Sequence, residues 1–118
     1  MTFISFGISR MAWMASPVLV GLLLVAAPQL AAAATSEVTV KIANFTFSPA
    51  DLTITPGTTV TWVNNDDIPH AVVETEKTFR SKALDTDDKF SFTFTNPGEF
   101  SYFCSLHPHM TGKITVKQ

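Results

Sequence analysis

The sequence predicts an all-β domain, an antiparallel sandwich or small barrel of about seven short strands, preceded by an N-terminal signal peptide. Three observations predict it. Apolar residues recur at every second position in run after run. Turn residues such as Pro56-Gly57 and Asn96-Pro97-Gly98 separate the runs, and no helical period outlasts a single turn.

The leader comes first. Residues 1–10 carry one cationic side chain, Arg10; residues 11–27 are almost entirely apolar; and residues 31–34 supply an A-x-A cleavage pattern. An uncleaved anchor needs about 20 apolar residues to cross a bilayer. This run falls short, with Ser16 and Pro17 inside it. The reading is therefore signal peptide over 1–34, with one domain over 35–118 and no stable membrane insertion after cleavage. Removing 34 residues from 118 leaves 84, enough for one modest core.

The strands follow in order. Val38, Val40 and Ile42 alternate with Thr39 and Lys41. Residues 52–54 form a short run stopped by Pro56-Gly57, and residues 58–63 place Val60 and Trp62 on one face. Residues 70–73 make a fourth run. Phe90, Phe92 and Phe94 alternate with Ser91, Thr93 and Thr95, and after the turn at 96–98, Phe100, Tyr102 and Cys104 share a face. Residues 113–116 close the chain with Ile114 and Val116. The stretch 75–89 has the fewest strand signals and reads as an irregular edge with solvated charges. Eight of the ten Phe lie after the leader and read as core packing, each burying a large area.

Charge excludes one class of function. Residues 35–118 hold seven Lys and Arg against ten Asp and Glu, a net −3, with no basic stripe for nucleic acid. Taken alone, that balance favours a positively charged encounter partner.

Cys104 is the single cysteine, so it cannot close a disulfide within its own chain. It is an inert buried thiol, an intermolecular link or a metal-bound thiolate, and its neighbours discriminate. Beyond the leader there are one Cys, one Met and three His, and four of these five side chains stand in Cys104-Ser105-Leu106-His107-Pro108-His109-Met110. Thiolate, imidazole and thioether suit copper, while hard oxygen ligands are absent from the run. Pro108 biases His107 toward an extended backbone, which favours a bounded loop. Gly112 is expected to permit the turn into the last strand. A further ligand must come from elsewhere, and His70, 34 residues before Cys104, is the remaining histidine upstream. A ligand so distant means that the fold assembles the site.

With these residues go Phe45-Thr46-Phe47-Ser48-Pro49, Gly57-Thr58-Thr59-Val60-Thr61-Trp62-Val63-Asn64-Asn65-Asp66, Pro69-His70 and Gly98-Glu99-Phe100-Ser101-Tyr102-Phe103-Cys104. Together they resemble the cupredoxin family, and within it the small bacterial amicyanin and pseudoazurin group. The resemblance covers nearly all of 35–118 and implies a cupredoxin-like Greek-key sandwich. It also implies one type 1 copper, with His70, Cys104 and His107 as the trigonal set and Met110 as the weak axial ligand. His107 would be the electron port, in an apolar patch to which Leu106 and Pro108 contribute.

One departure stands out. Related proteins usually carry Asn after the first histidine ligand, tied to the residue after the cysteine; here Ala71 faces Ser105 in the analogy. The N–H of residue 71 is still expected to donate to the Cys104 sulfur. His109, commonly apolar in the family, is expected to be exposed, the rival being that it replaces Met110 or loads copper. Asp66 and Asp67 read as turn residues serving backbone N–H groups, not as catalytic carboxylates.

The function expected is an exported blue-copper electron carrier, periplasmic or secreted, acting as a monomer. Transient partners implied by the resemblance are a c-type cytochrome or a dehydrogenase. The alternative is a copper delivery or resistance protein on the same ligands. An enzyme is not expected. Multicopper oxidases place His on both sides of the type 1 cysteine, where this chain has Phe103 and Ser105, and a binuclear copper-A site needs two cysteines.

Overall fold

A computed structural model describes residues 7, 14–18, 21–28 and 35–118. Much of the expected signal peptide, its 31–34 cleavage pattern included, lies outside the described residues. Residues 35–118 lie in one compact unit. Among the described residues, no helix is long and apolar enough to cross a membrane.

The chain runs through β1 (Glu37–Ala43), β2 (Thr46–Ser48), β3 (Asp51–Ile54), β4 (Thr58–Asn64), β5 (Val73–Glu74), β6 (Lys89–Phe94), β7 (Gly98–Cys104) and β8 (His107–Val116). Two four-stranded sheets result, in the orders β2-β1-β4-β6 and β3-β8-β7-β5. The chain changes sheet after every strand from β2 to β6, which gives the sandwich its Greek-key character. Alternation decides which face of each strand is inside. In β4, for example, Thr58, Val60, Trp62 and Asn64 are buried while Thr59, Thr61 and Val63 are half-buried. The facing side chains of the two sheets meet around Trp62, with Val40, Ile42, Phe47, Phe94, Tyr102 and Ile114 about it.

The seven expected runs become eight strands, and three details differ. First, the sandwich is mixed: β1 pairs β4 in parallel, and so does β3 with β8. Second, residues 70–72 do not join the ladder, since their backbone groups bond across to 81–84. His70 N–H donates to Leu84 O, Leu84 N–H to His70 O, and Ser81 N–H to Val72 O. Third, Gly112 makes no turn. It sits inside β8 opposite Tyr102, and a Cβ there would run into the Tyr102 ring. Its bare Cα is what lets that ring lie flat against the strand. Gly57, by contrast, does serve the turn expected of it, with φ at +89°.

Candidate metal centre

One end of the sandwich gathers the residues that the sequence singles out. β7 delivers Cys104 on its inward face, completely buried. The chain then reverses over only Ser105 and Leu106, because Cys104 pairs directly with His107 at the start of β8. The expected loop is therefore a two-residue hairpin turn. A register shift beside Cys104 loosens the ladder there, and residues 108–110 bulge out of it before Phe103 pairs with Thr111. Within that bulge Met110 turns inward and is buried, while Pro108 and His109 face out.

His70 arrives from the stretch between β4 and β5 and is wholly buried. Its Nδ1 stands 3.7 Å from Cys104 Sγ, and His107 Nδ1 stands 3.7 Å from the same sulfur. The three donor atoms all lie within 4.8 Å of one another. A first-row ion with sulfur at about 2.3 Å and nitrogen at about 2.0 Å, at a trigonal angle, holds those two atoms about 3.7 Å apart. The separation found is thus that of two ligands sharing one ion. Thiolate with two imidazoles, and a thioether close by in sequence and buried, is a soft set fitted to copper. His109 is exposed and outside this cluster.

What keeps His70 in place is a residue whose part in the site the sequence does not announce. Asp66 Oδ2 lies 2.7 Å from His70 Nε2. The same carboxylate accepts the N–H of Asn44 at 2.7 Å and of Phe45 at 3.1 Å. Desolvation pushes the Asp66 carboxyl up, but the bonds from Phe45, Asn44 and His70 outweigh it and hold it below its ordinary value. An ionised carboxylate only accepts, so Nε2 carries the proton. A lone pair for a metal is then left to Nδ1, which faces the sulfur. Such outer bonds fix both tautomer and ring orientation of a ligating histidine. Asp66 does serve backbone N–H groups as a turn Asp should; the ring it also holds is the addition. Buried Asn64 shapes the loop around it, donating from Nδ2 to Ile68 O and Leu84 O and accepting from Asp66 N–H.

The two backbone groups that Asp66 binds belong to the turn joining β1 to β2. Asn44 and Phe45 have φ of +51° and +56°. A two-residue hairpin of the type I′ kind demands this at both positions, and Asn-Gly is its usual content. Phe in that conformation is disfavoured by roughly 1–2 kcal/mol, and the Asp66 bonds offset the strain. Phe45 is consequently not core, as its type suggests. It is 53% exposed. Its ring sits edge-on to His70 and His107, with centroids 5.5 and 5.0 Å away.

Ala71 is buried, and its N–H donates to Cys104 Sγ at 3.3 Å, as expected. Where a tie from an Asn side chain is missing, Ala71 and Ser105 line an open hollow. A second hollow, sharing Leu106 with the first, is lined by Phe45, Leu106, His107, Pro108, His109 and Met110. His107 is half-buried in it, and Leu106 is 50% exposed.

Comparison with known proteins agrees in family and in fold. The cupredoxin-like domain family matches residues 16–116. Amicyanin of Paracoccus versutus is 36% identical over 85 residues, covering 68% of this chain. The chain spans 64% of the length of that relative. A solved amicyanin variant in its Cu(I) form superposes with a TM-score of 0.65 at 30% identity, over 69% of this chain and 82% of that one. A copper-containing nitrite reductase from Thermus scotoductus gives 0.66 at 36% identity, over 70% of this chain but only 22% of the reductase.

Proposed function

This chain belongs to the cupredoxin family, and we propose that it is a small exported blue-copper electron carrier. One type 1 copper would be held by His70, Cys104 and His107, with Met110 as a weaker fourth ligand. The observation that carries this reading is the pair of 3.7 Å separations from one buried sulfur to two imidazole Nδ1 atoms.

Copper supplies one-electron chemistry by alternating between Cu(II) and Cu(I). The rest is the work of the chain. Cys104 offers its thiolate with one N–H bond, from Ala71, which tempers the charge on sulfur. Asp66 clamps His70 in the tautomer and orientation that ligation needs, and complete burial leaves that ring nowhere to go. A donor set fixed in this way rearranges little when an electron comes or goes. His107 is the more accessible partner of the pair, half-buried beside Phe45, Leu106 and Pro108. Those apolar side chains surround the imidazole edge with a surface that sheds water on contact, so a redox protein can approach the ligand closely. Small transient interfaces suit such encounters.

The nitrite reductase is matched over only 22% of its length, and His70, Cys104 and His107 make the one ligand cluster of this kind among the described residues. We read the chain as a carrier, not an enzyme, in the periplasm or outside the cell. A c-type cytochrome or a dehydrogenase is the proposed class of partner. Copper delivery on the same ligands is the alternative, and kinetics separate the two. A carrier loses copper slowly to a chelator and exchanges electrons rapidly with its own oxidised form. Fast copper loss with negligible electron self-exchange overturns the carrier reading in favour of delivery.

A further inference from the structure

The charge of the molecule and the charge beside its electron port have opposite signs. Residues 35–118 carry a net −3. Yet the hollow next to the ligand hairpin is lined by Arg80 and Lys82, together with Ala71, Ser105 and Leu106, and by no acidic residue. Leu106 is shared with the apolar hollow over His107, so the cationic and apolar surfaces are continuous.

The backbone builds this placement. Val73 bridges Arg80, Ser81 N–H donates to Val72 O, and Val72 N–H donates to Ser81 Oγ. Residues 79–82 are thereby drawn out along the start of β5, and extended chain sends successive side chains to opposite sides. Phe79 and Ser81 go in; Arg80 and Lys82 come out together. Among the described residues neither cation enters a salt bridge; the two recorded are His70–Asp66 and Lys113–Glu99. Lys89 continues the cationic surface into the adjoining hollow, where Asp88 is the lone acid and already accepts the N–H of Asp85.

We propose that Arg80 and Lys82 form the electrostatic half of a docking surface for an acidic protein partner, whose carboxylates enter this hollow while its apolar contact covers Leu106 and His107. The inference rests on the electron-carrier reading and adds the charge of the partner. It reverses the partner charge that net composition favours. Charges act within about a Debye length, near 10 Å at 0.1 M salt, so an approaching partner at the port responds to these two cations before it responds to the molecular total.

The test is stopped-flow oxidation of the reduced copper protein by hexacyanoferrate(III), with cationic tris(phenanthroline)cobalt(III) as its counterpart, across ionic strength. For the unaltered protein the hexacyanoferrate rate falls as salt rises. The R80E/K82E variant is slower by about tenfold at low salt and its salt dependence inverts, while the cobalt complex reacts faster. A K41E/K117E variant, with the same change in total charge elsewhere, moves little. The proposal is overturned if both double variants respond alike, or if the unaltered protein already reacts faster with hexacyanoferrate as salt rises. Failure of either complex to oxidise any form overturns the carrier reading, and this inference with it.

Discussion

The middle of the sandwich and its ligand end are held by different forces. Around Trp62 the sheets meet through aromatic rings: Phe79, Phe90 and Tyr102 have centroids 5.5, 5.7 and 5.4 Å from it. Nothing there depends on a single direction, and buried area does the stabilising. At the ligand end the contacts are few and directed. Asp66 ties a strained turn to a histidine, Asn64 shapes the loop between them, and one backbone N–H reaches the sulfur. The difference teaches where each kind of damage should appear. Loss in the middle lowers stability and spares the site, whereas loss at the ligand end alters the metal and largely spares the fold.

The strongest test of that division is Trp62→Ala. Removing a fully buried indole should destabilise the apo-protein by about 3–5 kcal/mol in denaturant titration, while the folded fraction still turns blue with copper. Loss of colour from folded protein would break the comparison.

Gly112→Ala probes the same middle from the strand side. Its added methyl collides with the Tyr102 ring and should destabilise by about 1–3 kcal/mol, again with an unchanged copper spectrum. A variant as stable as the parent would show that the ring has room to move.

Asp66→Ala sharpens the other half. Freed from its carboxylate, His70 should bind copper about 10–100-fold more weakly in competition titrations, and circular dichroism should report an intact sandwich. Unchanged affinity would remove Asp66 from the site.

The smallest effect belongs to Glu74, buried at the edge of the middle. Desolvation raises its pKa, but the N–H groups of Thr78 and Glu76, with hydroxyl help, outweigh that and hold it below the ordinary 4.5. A depressed carboxyl contributes stability above its unfolded pKa and loses it as pH falls through the folded value. Glu74→Gln should therefore lower stability modestly near neutrality, where the ionised carboxylate contributes, and flatten its fall below about pH 4.5. An identical acid limb would refute this.

The same division explains what was legible in the sequence. Strands β1, β4, β6 and β7 show in the alternation of Val38, Val40 and Ile42, of Val60 and Trp62, of the three Phe in β6, and of Phe100, Tyr102 and Cys104. Burial by area leaves a periodic trace. Orientation leaves none, because a strand alternates identically whether its neighbour runs parallel or antiparallel, and so the β1–β4 and β3–β8 pairings were hidden. Strand β2 was too short to show a period. The donors of the candidate site were legible because Cys, His and Met are rare here and cluster. Apart from the Ala71 N–H on the sulfur, their supports were not. Asp66 looks like any turn Asp until the loop curls it under His70, and Phe45 looks like core until a left-handed turn sets it over two imidazoles. Gly112 was misread since the reason for it is a ring on another strand.

The central claim is that one thiolate and two imidazoles share a copper ion in trigonal geometry. Visible absorption and paramagnetic resonance of the copper-loaded protein, with Cys104→Ser alongside, test it most directly. The account predicts an intense blue charge-transfer band and narrow copper hyperfine splitting in the parent, both absent from the serine variant. A weakly coloured parent with ordinary tetragonal splitting, or a blue band that survives in the variant, would contradict it.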